Sequence, residues 1–202
     1  MRLYTSPATP FGRKVLALIL ELGLEGRIEM VNVMGTPLAP GSLPVDQNPL
    51  GKIPALQTDA GAIYDSRVIC RYLNDFAGGA MYPTGPAIWA CLTREATVDG
   101  ILEAALAMVY EVRLRPADKQ FPDWIEAQWA KAARALDLIE AEWQPHLHGP
   151  LEMPQIGLAC ALEYLDFRLG VRNWREGRPM LAAWLAEFAK RPALLATQPV
   201  AV

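Results

Sequence analysis

The stretch Tyr4-Thr5-Ser6-Pro7-Ala8-Thr9-Pro10-Phe11-Gly12-Arg13-Lys14-Val15 sets three hydroxyls, Thr5, Ser6 and Thr9, just ahead of an apolar helical pattern. A hydroxyl at a helix start can cap the first turn. It can also donate a hydrogen bond to an anion drawn there by the exposed amides. Cysteines at the positions of Thr9 and Gly12 would make a Cys-Pro-x-Cys redox loop. Neither position carries sulfur, so redox chemistry through a protein thiol at this helix start is excluded.

Two further constellations could do chemistry. Lys52-Ile53-Pro54 opens an apolar run, and an X-Pro bond can adopt cis where a tight bend is needed. Pro54 would leave the backbone before it available for something other than a sheet ladder, or it is an ordinary edge-strand proline. Tyr64-Asp65-Ser66 stands where a strand gives way to a helix. Unpaired amides there suit a carboxylate, a serine hydroxyl can join them, and an aspartate can pair with an ammonium. Together these groups would recognise an α-amino acid head. A plain helix cap accounts for the same residues.

The elements that must position these groups follow from periodicity. Residues 1–4 read as a short strand. Val15, Leu16, Leu18, Ile19 and Leu22 carry a helical spacing from Pro10 onward, which Gly23 ends. Ile28 to Val33 alternates as a strand. Residues 34–51, rich in Pro and Gly, form a long loop. Ile53–Gln57 and Ala62–Tyr64 make a hairpin turning at Gly61, and Ser66–Phe76 is a helix capped by Asp65 or Ser66. The order is β-α-β, loop, β-β-α. It demands a parallel pair, an antiparallel hairpin and helices packed on the sheet. "AGGAMYPTGP" at 77–86 reads as a linker. Beyond it helices are predicted near 86–114, 122–144, 155–169 and 178–190, punctuated by Pro116, Pro122, Pro145 and Pro192.

Composition narrows the function classes. A 202-residue chain with 52% hydrophobic residues can bury a large core. Its net charge of −3, with basic residues scattered, gives no reason to expect nucleic acid. No run reaches the length of a membrane span, and the first residues read as strand and turn rather than an apolar leader. Cys70, Cys91 and Cys160 are far apart and read as buried free thiols of a reducing cytoplasm. His146 and His148 flank a turn without further ligands, so a solvated loop is expected and no metal.

The combination of "SPATPFGRKVLALILELGL", "NPLGKIPAL" and "IYDSRVICRYL" resembles the glutathione transferase superfamily, with short bacterial members of unassigned class most similar. The resemblance implies a thioredoxin-like glutathione-binding domain over 1–77, a linker over 78–86 and an all-helical domain over 87–202. It implies a cytoplasmic homodimer that uses glutathione as cosubstrate, without metal, to detoxify an apolar electrophilic small molecule. Carried over by position, Ile53 before Pro54 would bind the cysteinyl part through its backbone. Asp65 and Ser66 would hold the γ-glutamyl head, and Lys52 would lie near a carboxylate. Thr9, which directly precedes Pro-Phe, would activate the thiol, with Ser6 as the alternative. Leu106 and Tyr110 would line the acceptor pocket. Many relatives open the core helix of the second domain with a Ser/Thr-x-x-Asp capping box, where Gln155 and Leu158 stand here. A glutathione-dependent disulfide or peroxide reductase and a non-catalytic binding module on the same fold remain as alternatives.

Overall fold

The computed structural model describes residues 1–200. The chain divides into two compact units, Met1–Ile88 together with the segment from Pro192 onward, and Trp89–Arg191.

The first unit is built on a four-stranded sheet of β1 (Arg2–Thr5), β2 (Glu29–Asn32), β3 (Ala55–Thr58) and β4 (Gly61–Tyr64), in the order β2-β1-β3-β4. β1 and β2 are parallel, and β3 is antiparallel to both β1 and β4. This is the mixed sheet that the sequence order demands. Leu3 stands opposite Leu56, and both are fully buried. α1 (Pro10–Glu21) and α2 (Ser66–Ala77) pack together, with Val15, Leu18, Ile19, Ile69 and Leu73 in the core. Pro10 occupies the first turn of α1, where no amide partner is lost, and Gly23 follows the helix at φ 65°. Residues 34–51 form turns and one isolated bridge, with no helical turn.

The second unit is helical from Trp89: α3 (Ala87–Leu114), α4 (Pro122–Glu142), the four-residue α5 (Gln144–Leu147), α6 (Met153–Leu169) and α7 (Pro179–Phe188). α8 (Pro192–Ala196) belongs with the first unit, where it packs on α1. α5 and α8 are too short to show periodicity and were not expected from the sequence. α6 is buried almost all round, from Met153 through Leu162, as a helix apolar on every face must be. Gly157 lets α3 come close, because a Cβ there would stand 3.3 Å from Val98 Cγ1.

A helix start buried this deeply needs partners for its amides. The capping box expected to be missing is present three residues earlier, with other residue types. Glu152 is the cap, its carboxylate accepts from the amide of Gln155, and Gln155 Oε1 accepts from Glu152 N–H at 2.6 Å. Gln155 Nε2 also donates to the carbonyl of His146 at 2.9 Å. His146 departs from the solvated loop expected of it. Its side chain is only 8% exposed, and burial with the charge of Arg94 pushes its pKa down to about 4, so it is neutral at pH 7. α7 is capped from a distance, since Glu140 on α4 accepts from the amides of Met180 and Leu181.

Gln155→Leu should therefore cost about 1–3 kcal/mol, because it strands the half-buried Glu152 amide and removes one of the donors to the His146 carbonyl, which keeps the Gly149 amide. A urea titration should show a lower midpoint at unchanged slope. An unchanged midpoint would mean that the box contributes nothing.

Candidate functional site

Sheet register gathers the predicted groups. Tyr4 of β1 pairs with Ala55 of β3, and Ala55 pairs with Tyr64 of β4. One row across three adjacent strands thus joins the end of β1, the start of β3 and the end of β4. The loop from Ser6 to Thr9, the Ile53-Pro54 peptide and the start of α2 all leave the sheet at that row. With neighbouring strands about 4.8 Å apart, the three departure points span roughly 10 Å.

The three hydroxyls of the first loop are not equivalent. Thr5 is buried, and its hydroxyl has no hydrogen-bond partner among the described residues. Ser6 braces the turn, where its Oγ accepts from the amide of Ala8 at 3.5 Å and its carbonyl from the amide of Thr9 at 3.1 Å. Thr9 is the cap residue of α1 in extended conformation, yet its side chain makes no capping hydrogen bond. Its methyl faces Gly12. A Cβ at Gly12 would lie under 3.0 Å from both the Thr9 methyl and the Thr5 hydroxyl. The bare Gly12 therefore seats the Thr9 methyl against the helix and leaves the hydroxyl uncommitted at a helix N-terminus.

Ile53-Pro54 is cis. The loop before it is held by Asn48, a buried side chain that donates to the Lys52 carbonyl at 2.8 Å and accepts from the Leu50 amide at 3.1 Å. Lys52 is exposed, and none of the loop and turn hydrogen bonds uses the N–H or C=O of Ile53.

Asp65 caps α2 with φ 69° and ψ 126°, a conformation that an L-residue holds only when its surroundings impose it. Arg67 imposes it. Its amide and Nε donate to Asp65 Oδ1 at 2.9 and 3.1 Å, and its Nη2 donates to Oδ2 at 3.1 Å. A carboxylate has about four acceptor positions, so one on Oδ2 is left over. Burial raises the pKa of Asp65, but the bonds and charge of Arg67 with the charge of Lys14 outweigh it and hold the carboxyl below its ordinary range. Ser66 is buried, stands at the first helical position, and gives its hydroxyl to no described residue. Sequence reasoning missed Arg67, Asn48 and Gly12. The spacing Asp-x-Arg carried a signal for the first alone.

Leu106 and Tyr110 lie elsewhere, on α3 in the second unit, four residues apart and so on one face. Leu106 is half-buried and Tyr110 is exposed at its edge. Cys91 is no nucleophile, because burial and then the Glu152 carboxylate push its thiol up to about 12. Among the described residues no group of three or more His, Cys, Asp or Glu could hold a metal, and no helix is long and apolar enough to cross a membrane.

Residues 8–75 match the family model of the glutathione S-transferase N-terminal domain, and residues 122–187 match that of the C-terminal domain. The chain belongs to the glutathione S-transferase family. Its fold is that family's, a thioredoxin-like unit and a helical one. The chain is 33% identical over 98% of its length, and 98% of the relative's, to the uncharacterized GST-like protein YibF of Escherichia coli K12. It is similar to a glutathione transferase family member of Pseudomonas fluorescens Pf-5 solved with bound glutathione, with 41% identity, 99% of each chain covered and a TM-score of 0.96. A second structure from that organism, with bound S-(propanoic acid)-glutathione, has 40% identity, full coverage of both chains and a TM-score of 0.92.

Gly12→Ala should force the stiff, β-branched Thr5 and Thr9 apart and destabilise the first unit by about 1–3 kcal/mol. Thermal unfolding checks this. A melting temperature equal to wild type would mean that Thr9 is not seated by Gly12.

Proposed function

We propose that the protein binds glutathione along the end of the sheet marked by Tyr4, Ala55 and Tyr64, and activates its thiol for attack on an electrophilic small molecule. The observation that carries this reading is the shared register row, which brings an uncommitted Thr9 hydroxyl, the free Ile53 backbone and the strained Asp65-Ser66 cap to one edge. The glutathione-bound structures of similar chains support it. The spare acceptor position of Asp65 takes the γ-glutamyl ammonium. The first amides of α2 and the Ser66 hydroxyl take its carboxylate, at the positive end of that helix. Ile53 pairs with the cysteinyl backbone, and Lys52 screens the terminal carboxylate.

The thiol is held as thiolate by Thr9. A free thiol of pKa about 8.5 is only a few per cent ionised at neutral pH. Lowering it by roughly 2 units needs about 2.7 kcal/mol of preference for the anion. One hydrogen bond to a charged group supplies about 1.5–3 kcal/mol, and a helix N-terminus about 0.3–1. The sulfur then forms a C–S bond with the electrophilic carbon. The displaced electron pair departs with a leaving group, or takes a proton when a double bond is attacked.

Free buried cysteines suit a reducing, cytoplasmic setting. We infer a homodimer as well, because Met34, Leu38, Val45 and Leu50 are exposed on one loop, Leu38 by 74%. Light scattering should give twice the chain mass for wild type and the chain mass for Leu38→Glu with Leu50→Glu. A monomeric wild type sinks the inference.

Ultraviolet titration of bound glutathione tests the chemistry. Thiolate absorbance should appear about 2 pH units below that of the free thiol. Thr9→Ala should return it by more than 1 unit, while Ser6→Ala should leave it in place. Thiolate formation unmoved in Thr9→Ala, or moved only in Ser6→Ala, would overturn the assignment of Thr9.

A further inference from the structure

Thr5 closes β1 with a hydroxyl that has no use in the strand. The residue is 2% exposed, and among the described residues no other hydroxyl oxygen is wholly enclosed without a hydrogen-bond partner. Its backbone is committed to the sheet, since the Thr5 carbonyl accepts from the Val33 amide at 2.9 Å and Thr5 stands opposite Asn32 in the parallel ladder. Neither the strand nor the packing calls for the oxygen. Valine has the same branched shape, the same liking for strands and no donor to leave unbonded. A buried hydroxyl without a partner keeps the full cost of leaving water, so an unbonded one beside a functional site calls for an explanation.

Its neighbour is Thr9. A Cβ built on Gly12 would stand 2.1 Å from the Thr5 hydroxyl oxygen and 2.5 Å from the Thr9 methyl carbon, so oxygen and methyl flank one small space beside the first turn of α1. Glycine inside a helix is itself a cost, and here it leaves room for both groups at once. Thr9 holds extended backbone ahead of α1, and its side chain makes no capping hydrogen bond. The hydroxyl and methyl of a threonine are similar in size and lie about 120° apart around χ1. One rotation step therefore exchanges them. It brings the Thr9 hydroxyl to the place its methyl holds, beside the Thr5 oxygen, in a space already shaped for a group of that size. Threonine divides between two χ1 wells where its oxygen finds a bond.

We propose that Thr5 is the resting partner of the Thr9 hydroxyl, and that the bound thiolate draws this hydroxyl away from it. The inference rests on the glutathione reading above and adds a second position for the group that activates the thiol. Turned inward, the two hydroxyls satisfy each other, and Thr9 offers the ligand only a methyl. Turned outward, as in this structure, Thr9 is ready to donate to the sulfur and Thr5 is left unbonded. Without a ligand the outward arrangement gives up a buried bond for nothing, so the inward one is favoured. An anionic sulfur reverses the balance, because hydrogen bonds to charged groups are about twice as strong as those between neutral ones. A neutral thiol or a thioether is too weak an acceptor to do so. Thr5 thus commits the hydroxyl to the nucleophile and withdraws it from the thioether product, which is held by one bond fewer. Thr5 is a positioning residue, acting through Thr9 alone.

Ultraviolet titration of glutathione bound to the whole chain tests this. Thr5→Val removes the resting partner and keeps the shape. Thiolate absorbance should then appear about 0.5–1 pH unit below wild type, the shift that a roughly three- to tenfold excess of the inward rotamer sets. Thr5→Ala, which also lacks the hydroxyl, should move it in the same direction, and Thr5→Ser, which keeps it, should titrate as wild type. Calorimetry at neutral pH should show glutathione bound about threefold tighter or more by Thr5→Val, with S-methylglutathione, whose sulfur cannot ionise, bound within about twofold of wild type. With Thr9→Ala in place, Thr5→Val should move nothing, because no hydroxyl remains to be released. Thiolate absorbance unmoved or moved to higher pH in both Thr5→Val and Thr5→Ala, or moved equally in the Thr9→Ala background, overturns the role of Thr5 while glutathione binding stands. Thiolate formed by wild type no earlier than in free glutathione overturns the glutathione reading and this inference with it.

Discussion

The candidate site depends on β3 running antiparallel to β1. Were it parallel, the start of β3 would lie at the far end of the sheet, and Ile53 could not share an edge with Thr9. The register is set by burial. Leu3 and Leu56 stand opposite each other with no exposure, and a slip of β3 by one residue would turn Leu56 to the opposite face from Leu3. The same slip would carry Ala55 away from Tyr4 and Tyr64. Apolar packing at the centre of the sheet thus aligns polar groups at its end, and no polar contact between those groups is needed to bring them together.

Much of this edge was legible in the residues. Strand order followed from period and turn chemistry, and Pro54, Asp65 and Ser66 stood where an end of a sheet could use them. What remained illegible is which hydroxyl is free. Thr5, Ser6 and Thr9 read alike as a cluster, and only side-chain direction separates them into a buried group, a turn brace and an uncommitted donor. That direction is set by Gly12, three residues into the helix, whose missing Cβ leaves the space that Thr9's methyl takes. Spacing cannot show it. Likewise Asp65 could have been a plain cap. Its positive φ and the triple grip of Arg67 are conformational facts with no signature beyond the Asp-x-Arg spacing.

The helical unit was legible as helices and illegible as joints. Pro122 marked the start of α4, where the ring suits a turn without amide partners. The start of α6 was misplaced because the sequence offers Glu-x-x-Gln where Ser or Thr is the usual cap, and because Gln155 works from the third helical position rather than the cap. The cap of α7 comes from Glu140, forty residues upstream, which no local pattern reports. His146 looked like a loop residue by its Pro and Gly neighbours, yet it lies edge-on to the Trp143 ring and beside Glu152 and Gln155 at the start of α6.

The sheet edge offers groups of both signs, a spare acceptor position on Asp65 and donors on the α2 amides and Ser66, which suit a zwitterionic head. On the reading proposed above the nucleophile arrives with glutathione, so the edge has only to hold and ionise it, and no reactive side chain of the protein is required.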